Sequence, residues 1–157
     1  MTHEVSRRTF LKMTGVVGGT MLLAGCGMIN RIKGVPETGL PQIESAWSYD
    51  SGTLTLNLAR LPEISSLGGA VRIEGDILPD PILIVLGEDG QYYAFRNACT
   101  HAGRMIDPVA GTMTLQCCSA SKSTFDYSGS VLSGPAEGPL TSYPLTMEGD
   151  QLLVEIA

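Results

Sequence analysis

The sequence predicts an all-β fold, and three observations carry the prediction. Glycine (19 residues) and proline (9) are abundant in the 157-residue chain while charged residues make up only 17%, a balance that suits many short strands joined by tight turns. Thr53-Leu54-Thr55-Leu56-Asn57-Leu58 alternates strictly, which puts Leu54, Leu56 and Leu58 on one face of a strand. Ile82 to Leu86 is a continuous apolar run bounded by Pro81 and Gly87, the pattern of a strand buried on both faces. The length allows one domain of ordinary size with an appendage.

The appendage comes first. Ser6-Arg7-Arg8-Thr9-Phe10-Leu11-Lys12 precedes a mildly apolar run from Met13 to Ala24 that is too short and too rich in glycine to span a bilayer permanently. Basic residues followed by an apolar run is the order of an export signal, and the twin arginine resembles the bacterial and archaeal Tat signal. Leu23-Ala24-Gly25-Cys26 closes the run and resembles a lipobox, which implies cleavage before Cys26 and lipidation of its thiol. The expected organisation is therefore a signal peptide over 1–25, a lipidated N-terminus and flexible tether over 26–50, and a folded domain over 51–157. Gly34, Pro36, Gly39 and Pro41 interrupt any apolar period in the tether. Trp47 and Tyr49 stand where they can begin the sheet or cap its edge.

Within the domain, Leu61-Pro62 ends the first alternating strand, and residues 64–69 read as a loop with one turn. Ala70-Val71-Arg72-Ile73 begins a second strand. After the buried run, Glu88-Asp89-Gly90 is a hairpin turn into Gln91-Tyr92-Tyr93-Ala94-Phe95-Arg96. That strand delivers the chain to Asn97-Ala98-Cys99. Glu148-Gly149-Asp150 turns the chain back into a final strand over residues 151–156.

The chemistry-bearing residues lie in two stretches. The first is Cys99-Thr100-His101-Ala102-Gly103; the second is Gln116-Cys117-Cys118 followed by Ser121-Lys122-Ser123-Thr124-Phe125-Asp126. Thiolate and imidazole two residues apart, answered later by another thiolate, is the shape of an iron-sulfur site with mixed ligands. Phe125-Asp126, Gly129, Val131, Gly134-Pro135-Ala136, Pro139-Leu140 and Tyr143 follow at fixed spacing. Together with Tyr92-Tyr93-Ala94 and Cys99-Thr100-His101-Ala102-Gly103, this pattern resembles the Rieske family over roughly positions 53 to 157. The resemblance implies an antiparallel β-sandwich with two cluster-binding loops at one end, a 2Fe-2S cluster and one-electron transfer.

The family pattern requires C-x-H in the first loop and C-x-x-H in the second. Counting back from Phe125 without gaps, Cys118 takes the place of the second ligand cysteine, Ser121 that of the second histidine and Lys122 that of a glycine. In an alternative register with one inserted residue, Cys117 is the ligand. Neither register supplies a second imidazole, because His3 lies in the leader and His101 is the only other histidine. Three outcomes stay open. A cluster is held by Cys99, His101 and Cys118 with Ser121 or Cys117 as fourth ligand; the fold binds no cluster and serves as an interaction or structural subunit; or Cys99 pairs with Cys117 or Cys118 as a disulfide.

The leading expectation is a Rieske-like 2Fe-2S electron-transfer lipoprotein on the periplasmic or cell-surface side, working beside membrane redox proteins. It would be a carrier or a subunit of an oxidoreductase complex, not a stand-alone enzyme. Beyond position 25 the chain carries seven Lys/Arg against fifteen Asp/Glu, so no nucleic-acid partner is expected. No Ser/His/Asp set, phosphate-cradling glycine loop or paired catalytic carboxylates stands out, which leaves hydrolysis and phosphoryl transfer without support.

Overall fold

The computed structural model describes residues 35–156, so the twin-arginine stretch, Cys26 and the first part of the tether lie outside the described residues. Eleven strands form three antiparallel sheets, and no α-helix occurs among the described residues. The first sheet has the order β1-β2-β11-β10, from β1 (Trp47–Asp50), β2 (Thr53–Asn57), β10 (Leu145–Glu148) and β11 (Gln151–Glu155). The second is β3 (Ala70–Ile73), β4 (Ile82–Leu86) and β5 (Tyr92–Arg96) in chain order. The third is β6 (Ile106–Pro108), β7 (Thr114–Cys117), β8 (Thr124–Asp126) and β9 (Val131–Ser133), also in chain order.

The continuous apolar run of β4 has a direct explanation. Alternate side chains of a strand point to opposite faces, so Ile82 and Ile84 enter one apolar cluster with Leu54, Leu56, Val71, Leu152 and Val154. Leu83 and Val85 enter the other, with Phe95, Ile106, Leu115 and Phe125. Both faces of the middle sheet are therefore covered, and every residue of β4 is buried. Each fully buried aliphatic side chain here contributes roughly 1.5–3 kcal/mol relative to exposure.

The hairpin between β4 and β5 turns at Gly90, whose φ of 77° is in the region glycine adopts freely. It sets the register Leu83↔Phe95 and Val85↔Tyr93, and so fixes where β5 releases the chain into the first loop. Sheet structure begins earlier than residue 51: β1 starts at Trp47, preceded by a 3-10 turn (Glu44–Ala46) whose Ala46 is buried. The last part of the expected tether is thus built into the domain. Trp47 and Tyr49 begin the sheet there, as their position suggests, and both pack against the first apolar cluster.

Candidate functional site

Loop one, residues 97–105, runs from β5 to β6. Its base is fixed by Asn97, 2% exposed, whose N–H donates to the Pro81 carbonyl and whose side-chain oxygen accepts the Ile106 N–H at 2.7 Å. The loop then closes on itself: the Cys99 N–H donates to the Arg104 carbonyl at 2.7 Å and the Gly103 N–H to the Cys99 carbonyl at 2.8 Å. Gly103 has φ of 65°, which suits glycine in this tight return. Thr100 donates its hydroxyl to the Gly138 carbonyl at 2.7 Å and ties the loop to the Gly134–Pro139 segment.

Loop two, residues 118–123, runs from β7 to β8. The Cys118 N–H donates to the Met105 carbonyl, and the Cys117 N–H to the Ser123 carbonyl, both at 2.8 Å. Lys122 has φ of 49°, a left-handed conformation that costs a non-glycine residue roughly 1–2 kcal/mol. It stands where the family pattern carries glycine, so the backbone shape persists although the residue that suits it has gone. Segment 134–139 covers this loop closely: a Cβ on Gly134, φ 89°, would lie 2.5 Å from the Ser123 Cα. Asp126 organises the turn beyond β8, accepting the N–H groups of Ser128 and Ser130 and the Ser128 hydroxyl on Oδ1. The Ser128 hydroxyl is the main reason that its carboxyl sits below the usual range.

The two neighbouring cysteines of loop two part company. Cys117 pairs with Ile106 in the β6–β7 ladder and faces inward. It is 1% exposed and shares the second apolar cluster with Cys99, itself 2% exposed. Burial pushes Cys117 up to about 11, opposed by Ser119 and reinforced by the nearby Cys99 sulfur. Cys118 points to the opposite face and donates its thiol to Asp107 Oδ2 at 2.9 Å. Burial works against ionisation of Asp107, but the Cys118 thiol and the N–H groups of Glu37 and Thr38 outweigh it and hold the carboxyl below its ordinary range. His101 and Ser121 are exposed, and the Ser121 hydroxyl lies 3.1 Å from that of Ser119.

The structure therefore brings Cys99 and Cys117 together, sets Cys118 against Asp107, and leaves His101 and Ser121 at the surface of their loops. No disulfide joins the three described cysteines. Among the described residues no group of three or more His, Cys, Asp or Glu is arranged to hold a metal ion. This donor set does not fit a cluster that needs two imidazoles on one iron and two thiolates on the other. One imidazole is missing, and one thiol is committed to a buried carboxylate.

One feature of the cradle remains. Ser123 Oγ is fully buried without a hydrogen-bond partner, and the β7–β8 register carried one pair further places it opposite Cys117 on the same face. Asp107 and Ser123 were not singled out from the sequence. A legible signal for the two cysteines existed: consecutive residues at a strand end face opposite ways, so Cys117 and Cys118 had to meet different environments.

Comparisons with known proteins agree with the geometry at the level of fold. Residues 59–144 match the family model described as Rieske [2Fe-2S] domain, and residues 4–24 match the twin-arginine translocation pathway signal sequence. The 3-phenylpropionate/cinnamic acid dioxygenase ferredoxin subunit of Escherichia coli (strain K12) is 27% identical over 101 residues, covering 63% of this chain and 88% of that subunit. The corresponding subunit of Shigella boydii serotype 4 (strain Sb227) matches with the same identity and coverage. Among solved structures, the ferredoxin of carbazole 1,9a-dioxygenase from Nocardioides aromaticivorans IC177 is 22% identical with a TM-score of 0.52, covering 66% of this chain and 98% of that one. A complex of reduced oxygenase and oxidized ferredoxin in carbazole 1,9a-dioxygenase matches with a TM-score of 0.54 at 18% identity, covering 68% of this chain and 94% of the matched one.

Proposed function

The chain belongs to the Rieske [2Fe-2S] domain family, a family of electron transfer, and on that premise we propose that it is a Rieske-fold subunit that has given up the two-imidazole cluster. It keeps the fold as an interaction module beside membrane redox proteins. One observation carries this reading: the hydroxyl of Ser121, the residue that ungapped counting from Phe125 sets at the second histidine's position, lies against Ser119 at the loop surface. A hard hydroxyl oxygen is a poor substitute for imidazole on a soft iron-sulfur cluster. In this reading the Cys99 and Cys117 thiols pack the two loops together, and in an oxidising compartment they are the pair that becomes a disulfide.

The leader gives this module its place. The proposed boundaries are a signal peptide over 1–25, a lipid-bearing Cys26 at the start of a tether, and a domain over the rest. Arg7→Lys with Arg8→Lys is expected to block export, and Cys26→Ala to release the protein from membranes, both read by fractionation.

The orphaned Ser123 hydroxyl beside Cys117 favours a second reading, a carrier whose 2Fe-2S cluster is held by Cys99, His101 and Cys118 with Ser121 or Cys117. The ferredoxin relatives point the same way by descent. Iron and acid-labile sulfide in protein purified from a Tat-competent, iron-replete host decide between the two. Colourless protein without iron supports the interaction module. Stoichiometric iron and sulfide with a reduced-state EPR signal would establish the carrier instead.

A further inference from the structure

The outer face of the β6–β7 ladder carries Asp107 and Cys118, and a piece of the expected tether lies over it. Asp107 Oδ2 accepts the Glu37 N–H and Oδ1 the Thr38 N–H, both at 2.9 Å and across about seventy positions of sequence. One residue on, the Gly39 carbonyl accepts the Arg72 N–H of β3 at 2.9 Å, and the Gln42 N–H donates to Glu63 Oε1 at 2.8 Å. Residues 37–39 therefore bridge the middle sheet and the third sheet, and Asp107 is only 1% exposed. The third donor to that carboxylate is the Cys118 thiol.

We infer that residues 37–39 are a strap clasped by Asp107, and that release of the strap and exposure of Cys118 are one coupled event. The reason is shared satisfaction. Three donors from two distant parts of the chain converge on one buried carboxylate, and the penalty of burying that group is offset only while they remain in place. Removing the strap takes away its backbone donors and opens the face on which Cys118 lies. Withdrawing the Cys118 thiol weakens the carboxylate that holds the strap. The coupling rests on the proposed reading in which Cys118 holds no cluster and keeps its thiol for Asp107.

The coupling is measurable at both ends, because loosening either side of the clasp lowers the cost of local opening at the other. In the full chain, Thr38→Pro removes one backbone N–H from the clasp and leaves Asp107 and Cys118 in place. It is expected to speed alkylation of Cys118 by N-ethylmaleimide by about tenfold or more while Cys117, on the inner face, is unchanged. Conversely, Cys118→Ala is expected to speed hydrogen exchange at the Glu37 and Thr38 amides by a similar factor. Three results would overturn the coupling: an unchanged Cys118 rate in Thr38→Pro, equal acceleration of Cys117 and Cys118, or free-peptide exchange of both amides in the unaltered chain.

Discussion

The inner and outer faces of the β6–β7 ladder hold adjacent cysteines in opposite surroundings. Inside, Cys117 lies among Ile106, Leu115 and Phe125 with the Cys99 thiol for company, and burial drives its pKa up to about 11. Outside, Cys118 is just as buried but donates to a carboxylate that also gathers backbone donors from the strap. A single step along a strand has separated a packing thiol from a hydrogen-bonding one. Two cysteines side by side in sequence are therefore not two interchangeable candidates for one ligand position.

Removing the aromatic support of the inner face breaks this comparison most strongly. Phe125→Ala is expected to cost about 3–5 kcal/mol, seen as a lower denaturant midpoint with the Cys117 thiol becoming reactive. Exchanging each thiol for a hydroxyl sharpens it. Cys117→Ser puts a hydroxyl in an apolar cluster and should cost about 1–3 kcal/mol, whereas Cys118→Ser keeps a donor for Asp107 and should cost less than about 1 kcal/mol. Equal losses in the pair would erase the distinction between the faces.

A smaller change tests the backbone of loop two. Lys122→Gly relieves a left-handed residue and is expected to raise stability by about 1 kcal/mol with the loop unaltered; a loss on thermal unfolding would mean that the Lys122 side chain supports the loop. The smallest effect concerns the turn after β8. Because the Asp126 carboxyl is depressed in the folded chain, mainly by the Ser128 hydroxyl, its contribution is present above its unfolded pKa. That contribution fades as pH falls through the lower folded value. Asp126→Asn should flatten this acid limb of the stability profile, and an unchanged limb would remove Asp126 from the account.

Much of the fold was legible because its strands announce themselves by period. Leu54 and Leu56, and the run from Ile82 to Leu86, are where the alternating and continuous patterns place them. The short strands β8 and β9 carried no such signal, since three residues are too few to show a period and β9 is exposed along its whole length. In the site, Cys99 stood out by its C-x-H spacing and Cys118 and Ser121 by counting from Phe125. What counting could not supply was direction: which thiol turns inward is set by the Ile106↔Cys117 pairing. Asp107 was hidden for a related reason. Its partners Glu37 and Thr38 are about seventy residues away, and no local pattern reports such a contact.

The strap also sets a distance. For an anchor at Cys26, as proposed, an extended chain spans at most about 40 Å between the lipidated residue and the clasp at Glu37. With the clasp open, the first residue buried in the core is Ala46, and the same upper limit rises to about 70 Å. With the anchor proposed at Cys26, the two strap bonds on Asp107, together with those of Gly39 and Gln42, set how far the two loops can stand from the bilayer.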